Sequence, residues 1–584
     1  MLFLIAINDI TSCISSSLIT QRLFADDYNI SLRSSNPNRA HRLLQKCLNS
    51  ISSWCTQNGF RFSAHKTHLV IFKSRNPSPH IPPLKLQNFE IPIHNSAKML
   101  GLHFDQNLTW SSHIKILKAK CIRALSVIKY LSHPSKGCNR KILLQLYKSL
   151  IRSRLDYGAP IYNTASNSVL KLLNSIQSHS LRLVLGAFRT SPTLSLCAEA
   201  AEPPLPYRRL ILTSNLMTSI SQFPQLPSYN SIFQPKITHF STHSNKNIRY
   251  KFEQTLHKPF ISNPLLPIQP LSLPWTLTPP SIRLDLTQIP SPDKSSYVSH
   301  IERLIREYPQ HKICLTDGSK SRNRTAYAFS IDAKIVTHRI RNSASISTAE
   351  LMAIFSCLSQ LAQLPPSTKY ILLTDSLSSL HLITDPYSTN PLIQRIHLLL
   401  TTLNSLCTDI ILIWIPGHVD FPPHDAVDAA AKQALSFPTI TDKSRIPASD
   451  YRNLYRSLIF NSWKTFWQSQ NGNKLFAIKK SPISWTTSHR TSRREEVALA
   501  RLRIGHTRLT HLYIISPNLL SPPSCPHCQY DNLSVNHFFS CPYLQPLRSS
   551  CQVRSCLPQA LENNSDTISK TLHYLRLAQF FPLL

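Results

Sequence analysis

Glycine, acidic side chains and long apolar runs are all scarce in this sequence of 584 residues. Only 9 glycines stand against 43 prolines, so few turns can use a positive φ and many connections are stiff. The apolar run at residues 1–7 is too short to cross a membrane. It also lacks the basic segment and small-residue cleavage site of a signal peptide. We therefore expect a soluble, intracellular protein.

The shortage of acidic residues gives the chain a strong positive charge. Lys and Arg number 64 against 29 Asp and Glu, for a formal net charge of +35. A protein this basic needs a polyanionic partner, and nucleic acid is the usual one; an anionic membrane surface is the alternative. The length predicts several domains, and the 42% apolar content is enough for their cores.

Fourteen cysteines are present, but they do not form the framework of a disulfide-rich secreted protein. Nine are scattered singly, which suits buried thiols in a reducing compartment. Near the C-terminus, three thiols and one imidazole have the types and spacing of a closed, structural Zn²⁺ site, with His527 as a competing ligand and unligated thiols as the alternative. The four expected ligands are Cys525, Cys528, His537 and Cys541.

Four of the few acidic residues lie within residues 312–432, each in a different local setting. Asp317 and Asp375 each follow an apolar run typical of a strand, Glu350 begins an amphipathic helical pattern, and Asp428 lies in a short helical pattern. Carboxylates at strand ends and on nearby helices can converge, and such a cluster repels itself unless protons or metal ions neutralise it. Two Mg²⁺ ions roughly 3.5–4 Å apart would do so.

Each of these acids also has an ordinary structural explanation. Asp-Gly at residues 317–318 is a common turn pair, and Ser347 with Glu350 fits a capping box. Asp375 could cap the helix that follows it, and Asp428 could lie on a solvated helix face.

The order Asp, Glu, Asp, Asp, with Pro416-Gly417-His418 before the last acid, resembles the type 1 ribonuclease H family. The resemblance implies a multi-domain α/β protein containing a mixed five-stranded sheet with flanking helices. It also implies that the four acids hold two Mg²⁺ ions, with Mn²⁺ as a substitute, and cut the RNA strand of RNA–DNA hybrids. His418 would assist proton transfer or product release.

The loop after His418 departs from the family pattern. Asp420, the two prolines at 422 and 423, His424 and Asp425 stand where the family has Gly and then Gly-Asn-Glu. Because proline fixes φ, the loop is stiffer than the family's, and the carboxylate of Asp420 could disturb an approaching phosphate. These changes put catalytic efficiency in doubt.

The N-terminal stretch resembles a reverse transcriptase palm of the non-LTR, jockey-like retrotransposon kind. Ala-Asp-Asp at residues 25–27 lies between apolar runs, and residues 98–102 resemble the primer-grip turn. The resemblance makes Asp26 and Asp27 part of a vestigial polymerase site. A polymerase also needs a metal-binding Asp from an earlier strand, so we expect a truncated palm without polymerase activity.

The expected organisation is a palm remnant at 1–105, a helical thumb and connection at 106–227, and a proline-rich linker at 228–300. A ribonuclease H domain follows at 308–438, and a basic helical region with the zinc knuckle at 445–584. The expected function is hydrolysis of RNA in hybrids, at a site of action in the nucleus. One alternative is a decayed product that binds nucleic acid without catalysis; another is an RNA-directed DNA polymerase, if further sequence precedes this chain.

Overall fold

The computed structural model divides the chain into two compact units. The split unit comprises Met1–Arg209 and Trp463–Leu584, and the central unit comprises Leu210–Ser462. The described residues are 2–72, 81–87, 89–234, 247–260, 265–268, 272–289, 294–516, 521–529 and 532–584. No helix within these described ranges is long and apolar enough to cross a membrane.

The split unit begins with two helices and three hairpins. The helices are α1 (Leu2–Ile7) and α2 (Pro37–Asn58). The hairpin strands are β1 (Ile19–Phe24), β2 (Asp27–Leu32), β3 (Leu84–Leu86), β4 (Phe89–Ile91), β5 (Ser96–Met99) and β6 (Leu102–Asp105). Asn36 caps α2 by accepting a hydrogen bond from the Arg39 amide, and Gly59, with φ 71°, ends it. Helix α2 buries Leu48, Ile51 and Trp54 against the hairpins.

A tight hairpin forms around the Asp pair: β1 and β2 are antiparallel, and Phe24 pairs with Asp27 across a two-residue turn. Both Asp26 and Asp27 are exposed. A second tight hairpin joins β5 to β6 through Leu100 and Gly101, whose φ values of 45° and 82° are those that a two-residue turn of type I′ requires.

Helices dominate the next stretch of the chain. They are α3 (Ser111–Leu131), α4 (Arg140–Leu146), α5 (Ser153–Asp156), α6 (Ala159–Tyr162), α7 (Asn167–Leu185), α8 (Thr193–Ala200) and α9 (Leu205–Ser221), with a π-helical turn at Tyr147–Arg152. Buried residues of α7 recur every three or four positions, as at Leu170, Leu173 and Ile176, so that one face packs on α3.

A six-stranded mixed sheet forms the centre of the central unit. Its elements and their neighbours are α10 (Pro227–Phe233), α11 (Ile248–Leu256), β7 (Ser281–Arg283), α12 (Lys294–Arg306), β8 (Lys312–Ser321), β9 (Arg324–Ile331), β10 (Lys334–Ile340), α13 (Ile346–Leu361), β11 (Lys369–Thr374), α14 (Leu377–Ile383), α15 (Pro391–Ser405), β12 (Asp409–Trp414), α16 (Pro422–Ala434) and α17 (Ala448–Gln468). The strand order is β10-β9-β8-β11-β12-β7. Strands β8, β9 and β10 pair antiparallel, whereas β8, β11, β12 and β7 are parallel.

Both faces of this sheet are buried, which explains the continuous apolar runs of its central strands. On one face, Cys314 and Leu372 pack with α13 and α15. On the other, Leu315 and Ile371 pack with α12 and α16. Successive strand residues alternate between these two cores because the side-chain period of a strand is two.

The expectation of five strands and of a linker at residues 228–300 needs correction. Strand β7 lies inside that stretch and pairs in parallel with β12, adding a sixth strand. Helices α10 and α11 lie there as well. The proline-rich composition of this stretch predicted no regular structure. The edge strand forms nevertheless, because it pairs with β12, more than 120 residues later in the chain. Residues 235–246, 261–264, 269–271 and 290–293 of the stretch lie outside the described residues.

The chain after residue 462 returns to the split unit. Its helices are α18 (Lys474–Ile478), α19 (Arg493–Ile504), α20 (Arg508–His511), α21 (Val535–Ser540), α22 (Gln545–Ser550), α23 (Leu557–Ala560) and α24 (Ser565–Leu577). The Arg501 guanidinium donates to the carbonyl of Gly186 at 2.8 Å. A methyl group at Gly186 would lie 2.4 Å from the Val497 side chain, so α19 rests directly on the end of α7. The C-terminal region therefore shares a compact unit with residues 1–209.

A fully buried carboxylate ties these two distant stretches together. Glu199 accepts hydrogen bonds from Arg140 at 2.8 Å and from Ser488 at 3.0 Å. Lys479 and Arg503, both fully buried, lie 3.9 Å away. Burial alone would raise the pKa of Glu199, but the three cations outweigh it and hold that pKa at about 2.

Replacing Glu199 by Ala should destabilise the split unit strongly, because it leaves three buried cations without a counter-charge. Breaking a buried pair in this way costs about 3–5 kcal/mol. The measurement is urea unfolding of the whole chain at pH 7. The matched control is Glu90→Ala, whose 61% exposed side chain pairs with Lys85 and should contribute less than about 1 kcal/mol. The difference in free energy of unfolding between wild type and Glu199→Ala should shrink as pH falls from 4.5 to about 2, where the native carboxylate takes up its proton. Equal stability of the two variants at pH 7 would contradict the assigned network.

Candidate metal centres

Two of the four predicted acids are placed side by side by strand register. Strands β8 and β11 are parallel with Thr316 opposite Thr374, so Asp317 and Asp375 occupy the next position on each strand line. The alternative of a turn at Asp317 is wrong, because β8 continues to Ser321 in antiparallel pairing with β9.

Glu350 reaches the same edge from the first turns of α13. The helix is capped by Ser345, which accepts from the Thr348 amide at 3.2 Å, so the alternative capping box of Ser347 with Glu350 is wrong. A Cβ atom at Gly318 would lie 2.7 Å from the Glu350 amide nitrogen and 3.0 Å from its carboxyl carbon. Gly318 is therefore the residue that allows Glu350 to approach β8 closely.

Asp428 lies on α16, on the face whose Val427 and Ala431 pack against the sheet. Asp428 is not in the group of Asp317, Asp375 and His424 whose ligand atoms lie within 4.8 Å of one another. Its Oδ2 atom accepts a hydrogen bond from the Lys432 ammonium at 2.6 Å. The Nδ1 atom of His418 lies 3.6 Å from the same oxygen, and the His418 side chain is 75% exposed. The alternative of Asp428 on a solvated face is wrong, since only 15% of its side chain is exposed.

His424 joins the cluster, although the sequence indicated it only as part of the unusual loop. It lies one helical turn before Asp428 on α16 and is 3% exposed. One ligand atom from each of Asp317, Asp375 and His424 lies within 4.8 Å of the others. The spacing of four residues between His424 and Asp428 was the available signal, because such residues share a helix face.

The pKa values of the buried acids reflect their crowding. Burial, followed by repulsion from Asp375 and Asp428, raises the pKa of Asp317 to about 8. Burial, then repulsion from Asp317 and Asp375, raises that of Glu350 to about 9, against a hydrogen bond from the backbone of Gly318. Excess negative charge of this kind is what a divalent cation relieves.

The donor set fits hard divalent cations. Within the described part of the chain, the buried Oδ2 of Asp317 and Oε2 of Glu350 have no hydrogen-bond partner. Buried polar atoms are normally paired, so these two oxygens are available as ligands. Oxygen-rich sets of this kind suit Mg²⁺ and Mn²⁺.

The two prolines of the unusual loop are tolerated because they form the start of α16. Pro422 and Pro423 occupy its first turn, where a missing N–H breaks no helical hydrogen bond. Asp420 is directed to Lys294, whose ammonium lies 3.1 Å away, and its side chain is 74% exposed. Gly417 lies against Asp375, where a Cβ atom would sit 2.5 Å from its Oδ2 atom.

The four expected zinc ligands also converge, in the split unit. Their ligand atoms all lie within 4.8 Å of one another, with the sulfurs of Cys525 and Cys541 4.0 Å apart. Cys528 lies 3.4 Å from the Nε2 atom of His537. Zn–S bonds of 2.3 Å in a tetrahedron imply sulfurs roughly 3.8 Å apart, so this spacing suits one ion. The competing His527 is turned away, with Nε2 3.2 Å from the Ala578 carbonyl.

Asp26 and Asp27 stand outside both clusters. Among the described residues, Asp26 and Asp27 belong to no group of three or more His, Cys, Asp or Glu side chains able to share an ion.

Asp317→Asn should stabilise the metal-free protein at alkaline pH. Because the native pKa of Asp317 is about 8 and the ordinary value is 3.8, wild-type stability falls as pH rises through this window, whereas the amide stays neutral. In chelator, the free energy of unfolding of the variant should exceed that of wild type by on the order of 5 kcal/mol at pH 9, because the pKa of Asp317 is raised by about four units at about 1.4 kcal/mol each, and the difference should vanish near pH 4. Thermal unfolding at both pH values is the measurement.

The control for this variant is Asp332→Asn, at an exposed turn where Asp332 pairs loosely with Lys312. It should leave stability unchanged at both pH values. A constant offset between Asp317→Asn and wild type from pH 4 to 9 would show that the carboxyl group does not titrate as assigned.

Comparison with known proteins gives partial matches to retrotransposon enzymes. No protein-family model matches the chain. The RNA-directed DNA polymerase from mobile element jockey of Drosophila melanogaster is 28% identical over 164 residues, which are 28% of this chain and 18% of that protein. The probable RNA-directed DNA polymerase from transposon X-element of the same organism is 26% identical over 163 residues, 28% of this chain and 18% of the relative.

A third relative comes from a different organism. The retrovirus-related Pol polyprotein from type-1 retrotransposable element R1 of Bradysia coprophila is 26% identical over 172 residues, or 29% of this chain and 17% of the relative. The chain thus spans less than a fifth of the length of these relatives. Over a little more than a quarter of its length, it is related to the RNA-directed DNA polymerases of non-LTR retrotransposons.

Proposed function

We propose that the central unit hydrolyses the RNA strand of RNA–DNA hybrids, as a type 1 ribonuclease H does. The observation that carries this proposal is the convergence of Asp317, Glu350 and Asp375 at one edge of a mixed sheet, with Asp428 beside them on α16. These four acids would hold two Mg²⁺ or Mn²⁺ ions, which when bound would activate a water and stabilise the leaving oxygen of a phosphodiester.

The residues of the chain itself would transfer protons at the site and bind the hybrid. His418 is exposed, its Nδ1 atom lies 3.6 Å from the Oδ2 atom of Asp428, and it would assist proton transfer beside the acids. The buried sheet beneath the acids keeps their geometry fixed. Recognition of a hybrid rests on shape, since one groove presents ribose 2′-hydroxyls while the opposite strand is DNA. The net charge of +35 favours binding along phosphate backbones.

The Cys/His cluster would hold one structural Zn²⁺. Its three thiols and one imidazole fill a tetrahedron and leave no ligand position for a substrate. With the basic helices around it, this centre would stabilise a nucleic-acid-binding end of the split unit.

Two other functions have a specific observation in their favour. Binding of nucleic acid without catalysis is favoured by the ion pair of Asp428 with Lys432, which neutralises one of the four acids. RNA-directed DNA polymerisation is favoured by the names of the relatives and by the Asp26–Asp27 hairpin, and it would need further chain for its third carboxylate.

Cleavage of a labelled RNA–DNA hybrid by the whole chain is the decisive measurement. Wild type should cut in Mg²⁺ or Mn²⁺, and Asp375→Asn should lose nearly all activity, because it removes a carboxylate shared by the central site. His418→Ala should reduce turnover roughly 100-fold or more without abolishing it, as expected for a proton-transfer residue. The matched control, Asp420→Asn, alters an exposed acid that pairs with Lys294 and should retain activity.

Two results would contradict the ribonuclease assignment. A folded chain that binds hybrid but cuts in neither metal supports binding without catalysis. A chain in which Asp375→Asn cuts as fast as wild type has its active site elsewhere.

Zinc content tests the second centre independently. The purified chain should contain about one zinc per molecule, and Cys541→Ser should lose it, because three ligands hold the ion poorly. Cys556→Ser is the matched control, since Cys556 is exposed and outside the cluster. Metal analysis by mass spectrometry gives the counts. Full zinc content in Cys541→Ser would refute the ligand set.

A further inference from the structure

A buried histidine beside the acids has no assigned role. His424 is 3% exposed, and within the described part of the chain its Nε2 atom is buried without a hydrogen-bond partner. Its ring contributes a nitrogen to the group formed with carboxylate oxygens of Asp317 and Asp375, all within 4.8 Å of one another. Leaving a buried ring nitrogen unpaired is costly, so this position suits a bound cation.

The contacts favour a shared ion over a direct hydrogen bond. Among the described residues, no hydrogen bond joins His424 to Asp317 or Asp375. Ligands bound at roughly 2.0–2.4 Å to one ion lie up to about 4.8 Å apart, and the ligand atoms of His424, Asp317 and Asp375 lie within that limit of one another. The helical turn from His424 to Asp428 directs both side chains to the same region, because residues four apart share a face.

We propose that His424 is a nitrogen ligand of one metal position, together with Asp317 and Asp375, and that this position selects a divalent transition-metal ion over Mg²⁺. Imidazole suits transition metals, whereas Mg²⁺ prefers oxygen ligands and retains water. Mn²⁺ accepts both carboxylate and imidazole, so it is the probe. The inference deepens the proposed ribonuclease function by naming its metal class. It rests on that function only for the use made of the ion.

The test measures metal binding without nucleic acid. Metal-free whole chain is titrated calorimetrically with Mn²⁺ and, separately, with Mg²⁺, and pulsed electron paramagnetic resonance of bound Mn²⁺ detects nitrogen coupling from a coordinated imidazole. Wild type should show that coupling and bind Mn²⁺ at least 10-fold more tightly than Mg²⁺. His424→Asn should lose the coupling and bind Mn²⁺ 10- to 100-fold more weakly, with Mg²⁺ affinity changed less than 3-fold.

Two further variants locate the signal. Asp375→Asn should also lose the nitrogen coupling, which distinguishes this position from His537 in the split unit. His381→Asn, at an exposed histidine of α14, should leave both affinities and the coupling unchanged. Melting temperatures in chelator establish that each variant is folded.

Several outcomes overturn the inference. Absence of nitrogen coupling in wild-type protein does so without any variant. Coupling that persists in His424→Asn or in Asp375→Asn places the nitrogen ligand elsewhere. Equal loss of Mn²⁺ and Mg²⁺ affinity in His424→Asn indicates a packing role instead. Failure of hybrid cleavage would count against the proposed function alone, because none of these measurements depends on it.

Discussion

Repulsion among carboxylates at the edge of the mixed sheet is the constraint that the fold of the central unit must overcome. The parallel register of β8 and β11 brings Asp317 and Asp375 together whether or not a cation is bound. Burial removes the water that would screen them, so the pKa values of Asp317 and Glu350 rise far above the ordinary range. At neutral pH, Asp317 and Glu350 are therefore protonated in the native state without metal, whereas both would be ionised in water.

The surrounding structure keeps these acids together in two ways. The first is a sheet buried on both faces, whose close-packed strands cannot spread without opening both cores. The second is the absence of side chains where the acids need space. Gly318 lies under Glu350, and Gly417 lies against Asp375. In a chain with only 9 glycines, two lie beside these four acids, and both are there for close approach.

The same chain is strongly basic overall, and the contrast between the acids and the rest has a physical consequence. Lys432 partly neutralises Asp428, while Asp317 and Glu350 have buried oxygens without a partner among the described residues. The local negative charge attracts divalent cations, whereas the net charge of +35 attracts phosphates. A bound cation would reconcile the two, because a phosphodiester can approach four carboxylates only after their charge is compensated.

Much of this site could be predicted from local sequence, and the part that could not is non-local. Apolar runs ending in Asp317 and Asp375 are visible in the sequence because buried parallel strands are continuous apolar segments. The cap at Ser345 rather than Ser347 was missed because both serines satisfy the same preference and only tertiary contacts choose between them. Strand β7 was missed because a strand of three residues in a proline-rich stretch is too short to show an alternating pattern. It is recognised as a strand only through its pairing with β12. His424 was missed because histidine near a helix start is usually incidental, and only the packing of α16 on the sheet buries it.

The split unit extends this point to the Cys/His centre. Cys525 and Cys541 belong to a core that includes Phe538, Leu499 and Leu502. Helix α19, which carries the two leucines, also holds Arg503 beside Glu199 and rests on Gly186 at the end of α7. The ligand cluster is therefore connected, through one helix, to residues more than 300 positions earlier in the chain. An ion bound there would stabilise more than the knuckle itself. Loosening α19 would move Arg503 away from Glu199 and disturb a network of one buried carboxylate and three buried cations, and breaking such a network is costly.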